Sequence, residues 1–148
     1  IAKAHYNAIE FGLRNSDHAL IMEDDIEFPG RAKTIPFIDQ CLANLPEDWD
    51  ILLGGVYNKN NPTKFNEYWD KVESFRALHF YIINKRGFEK MKAFKFDDHI
   101  DKWISENVFQ CFVMNPFVAI QRDGFSDNVG HVTKYNTTLL KKFVILKP

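Results

Sequence analysis

No apolar run in this chain is long, and the short ones alternate with segments of helical period. Ala19–Met22 and Phe143–Leu146 hold four residues each, against the roughly 20 that a membrane-spanning helix needs. Runs this short, bounded by turn residues, read as buried strands. The alternation therefore predicts an α/β domain in which helices flank a mixed sheet, and such sheets place ligands beyond the carboxyl ends of their strands.

Ala4, Ala8, Ile9 and Leu13 recur at helical spacing and predict a helix over 2–14, with Gly12 and Asn15 near its end. His18–Met22 reads as a strand that stops abruptly at Glu23, Asp24 and Asp25, before Pro29 and Gly30 break the chain. Thr34 is placed to cap a second helix, with Pro36 tolerated in its first turn, a stripe of Phe37, Ile38, Cys41, Leu42 and Leu45, and Pro46 as its end. Trp49–Leu53 predicts a second strand, closed by Gly54 and Gly55, and the polar stretch Asn58–Asn66 reads as a long loop able to cover a site. Val72–Phe75 and Leu78–Ile83 read as strands, and Asn84 as the cap of a helix over 85–94. Asp97–Glu106 predicts a short helix, Phe109–Met114 and Phe117–Gln121 predict strands around Pro116, and residues 122–138 read as irregular.

At 148 residues the chain is near the usual size of one domain, and long enough to build a core without disulfides. Cys41 and Cys111 therefore suit a reducing compartment. Nineteen basic against twenty acidic residues leave a formal charge of −1, which argues against nucleic acid as a partner. The sequence opens with no basic stretch followed by an apolar core, so no signal peptide is expected, nor a transmembrane segment. The expected location is cytoplasmic, or peripheral to the membrane.

The three acids after the first strand are the leading chemical feature. Period-two geometry puts Glu23 and Asp25 on one side and Asp24 on the other. At about 7 Å and an effective dielectric near 20, two such carboxylates repel by about 2 kcal/mol, which a hard divalent cation would reverse. The plain alternative is a solvated acidic loop.

Around those acids the order of segments is distinctive. A-H-Y-N-A-I precedes A-L-I-M-E-D-D-I-E-F, and W-D-I-L-L-G-G, H-F-Y-I-I-N-K-R-G-F-E-K-M, H-I-D-K-W-I and P-F-V-A-I-Q with F-S-D follow in turn. Over about residues 4 to 128 this order resembles glycosyltransferase family 25, the lipopolysaccharide and procollagen galactosyltransferase-like group. The resemblance implies a GT-A type nucleotide-sugar fold, here lacking the family's first nucleotide-binding strand. It also implies transfer of a hexose, often galactose, from a nucleotide diphosphate sugar to a glycan or lipopolysaccharide acceptor. The chain departs from the family pattern at Ala4, where the family tends to have Ser before the histidine.

Carried over residue by residue, the family's acidic metal motif falls on Glu23, Asp24 and Asp25, with Asp25 the preferred ligand of Mn²⁺ or Mg²⁺. Asp101, in H-I-D-K-W-I, falls where the family has an acid near the acceptor and is the candidate base; its alternative is a helix-start acid facing the macrodipole. His131, in a late loop, is a candidate further metal ligand or a solvated histidine. His5 either packs or lines the donor site, whereas His79 reads as packed or hydrogen-bonded. Gly54 and Gly55 allow a turn or a ligand's approach. Tyr57 is the candidate for stacking on a sugar, most of the 3 Trp, 5 Tyr and 14 Phe being needed for the core. Gln121, Ser126 and Asp127 match the family's closing segment, which implies hydrogen bonds to acceptor hydroxyls; the alternative is ordinary turn chemistry in a loop carrying Gly124 and Asp127. A metal-dependent phosphoesterase would need denser His and Asp clusters. A non-catalytic carbohydrate-binding or assembly module of the same fold is the reading from another class.

Overall fold

The computed structural model describes residues 1–60, 62–126, 130–134 and 144–148. Its elements, in chain order, are α1 (Ala2–Gly12), β1 (His18–Met22), β2 (Ile26–Glu27), a 3-10 turn (Arg31–Lys33), α2 (Thr34–Ala43), β3 (Ile51–Leu53), β4 (Tyr57–Asn60), β5 (Thr63–Lys64), β6 (Trp69–Val72), β7 (Ser74–Arg76), β8 (Phe80–Asn84), α3 (Lys85–Met91), α4 (Ile100–Glu106), β9 (Cys111–Met114), β10 (Ile120–Gln121), β11 (Gly124–Ser126) and β12 (His131–Thr133).

Six strands form a mixed sheet in the order β1-β8-β3-β9-β6-β5. The β3–β9 pair is parallel and the others are antiparallel, so β1, β3 and β9 run the same way. Their carboxyl ends share one edge of the sheet. β3 is buried along its whole length because both faces are covered. Ile51 and Leu53 face the side packed by α1, α3 and α4 with Ile9, Tyr81, Ile83, Met91, Ile104 and Val113. Leu52 faces the other side, where Phe80, Phe112, Trp69 and Met114 meet Cys41 of α2. Burial pushes the Cys41 thiol up to about 12, and pushes that of Cys111 up as well, so both are inert.

Several expectations need correction. Asn58–Asn66 is not a long loop: its polar residues belong to β4, paired with β7, and to β5 on the outer edge of the main sheet. Edge strands need no apolar alternation, so pattern alone misses them. Residues 122–138 are not wholly irregular, since β11 and β12 pair as an antiparallel ribbon. Thr34 does not cap α2; Lys33 holds that position, and Thr34 is buried inside the first turn. Asn84 does cap α3, its side chain accepting from the Gly87 N–H at 2.8 Å, but the helix ends at Met91 rather than 94.

Candidate functional site

β1 delivers its acids to the sheet edge as expected. The Glu23 N–H donates to the His79 carbonyl at 3.0 Å, which fastens the end of β1 beside the segment entering β8. β10 pairs with β2 in a register that sets Gln121 opposite Ile26. Gln121 therefore reaches both carboxylates: its Nε2 donates to Glu23 Oε2 at 2.9 Å and to Asp25 Oδ2 at 3.2 Å. Glu23 and Asp25 thus converge on one amide group, whereas Asp24 is exposed; the three acids stand beyond β1, in the turn that leads to β2, so the Gln121 contact and not a strand period brings the two together.

His5 of α1 completes this cluster. Its Nε2 lies 3.1 Å from Glu23 Oε1 and its Nδ1 lies 2.9 Å from the Tyr81 hydroxyl. A carboxylate can only accept, so Nε2 carries the proton and, in the neutral ring, Nδ1 accepts from Tyr81 O–H. His5 both packs, at 7% exposure, and lines the cleft described below. Burial alone would raise the Glu23 carboxyl, but His5, then His79 and Gln121, hold it below the ordinary range. Asp25 is shifted the other way, by burial first and then by the charge of Glu23. The two acids therefore have unlike environments. Burial also pushes the Tyr81 phenol up, with Glu23 adding to it, so Tyr81 stays a neutral donor.

Beside the cluster opens a cleft of about 380 Å³. His5, Glu23 and Gln121 line it, with Tyr57, Arg76 and Asp101 among the other residues. Asp101 shares this concavity with Glu23 rather than lying across the sheet. Its Oδ2 accepts from the Ala77 N–H at 2.8 Å and its Oδ1 from the Lys102 N–H at 2.7 Å. It also sits in the first turn of α4, as the helix-start reading has it. Each of its oxygens keeps a further lone pair for a ligand.

The remaining candidates separate. Tyr57 lines the cleft, its ring 5.8 Å from that of His79. Gly54 and Gly55 are closely approached by the protein itself: a Cβ on Gly54 would meet the Phe80 ring at 2.2 Å, and one on Gly55 the Ala119 carbonyl oxygen at 2.2 Å. They let the end of β3 pass against residues 118–119, whose N–H groups donate to the Gly54 carbonyl. His131 is exposed on β12 and does not line the cleft. Ser126 lies in β11, and Asp127 lies outside the described residues. His79 is buried as expected, its Nε2 donating to the Ala119 carbonyl at 3.2 Å, and burial lowers its pKa so that it stays neutral.

Tyr81 and Arg76 were not identified from the sequence. The alternation of His79 with Tyr81 marks a strand but not the hydroxyl's partner. Arg76 ends a three-residue strand with no pattern around it.

Among the described residues, no group of three or more His, Cys, Asp or Glu is arranged to hold a metal ion. The hard oxygen ligands at this point are the Glu23 and Asp25 carboxylates, toward which the Gln121 amide turns its N–H side. That set fits a cation of the Mg²⁺ or Mn²⁺ type, which binds through one or two carboxylates and keeps positions for water and phosphate oxygens. No helix among the described residues is long and apolar enough to cross a membrane.

Comparison with family models, with curated proteins and with solved structures found no match.

Proposed function

We propose that this chain is a metal-dependent glycosyltransferase domain of GT-A type that moves a hexose, galactose by resemblance, from a nucleotide diphosphate sugar to a glycan or lipopolysaccharide acceptor. The observation that carries the reading is the convergence of Glu23 and Asp25 on the Gln121 amide, at the carboxyl end of β1 and beside a polar cleft that also receives Asp101.

Glu23 and Asp25 would hold Mn²⁺ or Mg²⁺, with the Gln121 amide able to turn its oxygen toward the ion. When bound, such a cation stabilises the charge that collects on a departing nucleotide diphosphate. The residues of the chain do the rest. His5 keeps Glu23 ionised and oriented, and Tyr81 fixes the His5 ring. Asp101 takes the proton of the acceptor hydroxyl as that oxygen bonds to the anomeric carbon and the bond to the diphosphate breaks. Tyr57 offers a ring face to the sugar.

Calorimetry with a uridine diphosphate sugar tests the metal site. Donor binding should tighten when Mn²⁺ is present, and Asp25→Asn should remove most of that coupling. Donor affinity indifferent to the cation would overturn the reading. Asp101→Asn should slow transfer about 10² to 10⁴-fold with donor affinity little changed. Transfer at the parent rate would remove Asp101 as base, and sugar binding with no transfer by the parent chain would favour a carbohydrate-binding module.

A further inference from the structure

Arg76 lines the cleft with hydrogen-bond donors to spare. The three carboxylates that line the same space are each engaged. Glu23 accepts from His5 and Gln121, Asp98 from Lys102 Nζ and the His99 N–H, and Asp101 from the Ala77 and Lys102 N–H groups. Arg76 is half-buried at the end of β7, opposite Tyr57 in the β4–β7 ladder. Among the described residues no carboxylate lies within ion-pair distance of it.

Its orientation is nevertheless fixed. Nη1 donates to the Phe75 carbonyl at 2.9 Å and to Ser105 Oγ at 3.2 Å, while Ser105 in turn donates to the Lys102 carbonyl. The next residue, Ala77, has φ 72°, a left-handed conformation that a non-glycine residue keeps only when its surroundings hold it. Asp101 supplies that hold through the Ala77 N–H. The chain thus turns so that Arg76, Ala77 and Leu78 all line the cleft. A guanidinium has five N–H donors, and among the described residues those on Nη1 are the ones engaged. The Nε–H and both Nη2 hydrogens remain, and the Nε–H with one of the Nη2 hydrogens forms an edge whose spacing matches two oxygens of a single oxyanion.

We infer that the cleft takes an anionic group, a phosphate or a carboxylate, on the Nε–Nη2 edge of Arg76, with Asp101 and Ser105 as its positioning residues. The inference rests on the cleft alone and stands whether or not the chain transfers a sugar. A phosphate could belong to a nucleotide, and a carboxylate to an acidic sugar; both present coplanar oxygens to the same edge.

Titrations of the whole chain in the presence of a chelator, followed by the NMR signals of the Arg76 side-chain N–H and the Leu78 amide, test it without any metal. One arm uses inorganic phosphate and the other glucuronate. At least one should give saturable shifts, and the tighter arm identifies the group. Arg76→Lys keeps the charge but not the two-pronged edge, and should weaken that binding about tenfold. Arg76→Gln should abolish it, with the far-ultraviolet circular dichroism unchanged. No saturable shift in either arm, or equal binding in Arg76→Gln, would overturn the inference; full retention in Arg76→Lys would overturn the two-pronged edge. Should Arg76→Gln unfold, Arg76→Lys still decides.

Discussion

Asp50 is fully buried at the start of β3, and its substitution by Asn tests how the sheet is tied to α3. Oδ1 accepts from Arg86 Nε at 2.7 Å, and Oδ2 accepts from Lys90 Nζ at 2.6 Å and from the Gln110 N–H at 2.8 Å. One carboxylate therefore joins β3, α3 and the segment leading into β9. Breaking a buried ion pair typically costs about 3 to 5 kcal/mol, mostly because the surviving charge stays buried. Here the surviving cations are 49% and 35% exposed and can turn to water, which lowers the figure. The amide of Asn offers a second donor where three donors already converge, so at least one buried donor is left unmet, at about 1 to 3 kcal/mol. We expect Asp50→Asn to cost about 3 kcal/mol in urea unfolding with an unchanged m-value. At about 2 to 4 °C per kcal/mol for a chain near this size, the midpoint should fall by roughly 10 °C.

The same site carries a pH signature. Burial alone would raise the Asp50 carboxyl, but the Gln110 N–H, Lys90 and Arg86 together hold it below its ordinary value. The unfolded chain then binds the proton more readily, so this stabilisation is full above the ordinary carboxylate value of 3.8 and fades as pH falls below it toward the folded value. The stability gap between parent and Asp50→Asn should accordingly be flat near neutrality and narrow in acid. A loss below about 1 kcal/mol at pH 7, or a gap that widens in acid, would refute the reasoning.

Two smaller perturbations address the elements around the cleft. Gly55→Ala would drive a methyl group into the Ala119 carbonyl, 2.2 Å from the ideal Cβ; backbone must shift there, and a loss of about 2 kcal/mol or more in urea unfolding is expected. Asn84→Ala removes the cap of α3 and also the side-chain donor to the Trp49 carbonyl. It should cost about 1 to 2 kcal/mol, measured the same way, and more than Asn84→Asp, which keeps the acceptor for Gly87.

β1, β3, β8, α1 and α3 were legible because their apolar residues obey a local period and their ends carry local signals. His18–Met22 stops where charge begins, and Asn84 precedes a helix it can cap. Glu23 and Asp25 do share one side, but not for the reason the sequence offered: both lie past the end of β1 in a turn, where no strand period operates, and the Gln121 amide gathers them. Tertiary structure decided what those acids meet. His5 lies on a helix, Tyr81 on the neighbouring strand and Gln121 nearly a hundred residues away, and no local pattern encodes a hydrogen bond between elements. It also decided the fate of the glycines, because whether Gly54 and Gly55 face a ligand or a packed backbone depends on where residues 118–119 run. The strands β4 and β5 were illegible because their sequences are polar and their pairing with β7 and β6 is a backbone matter that no apolar alternation records. Arg76 became visible last: its chemistry lies in the donors that neighbours leave unused, and a sequence records donors without recording which of them are spent.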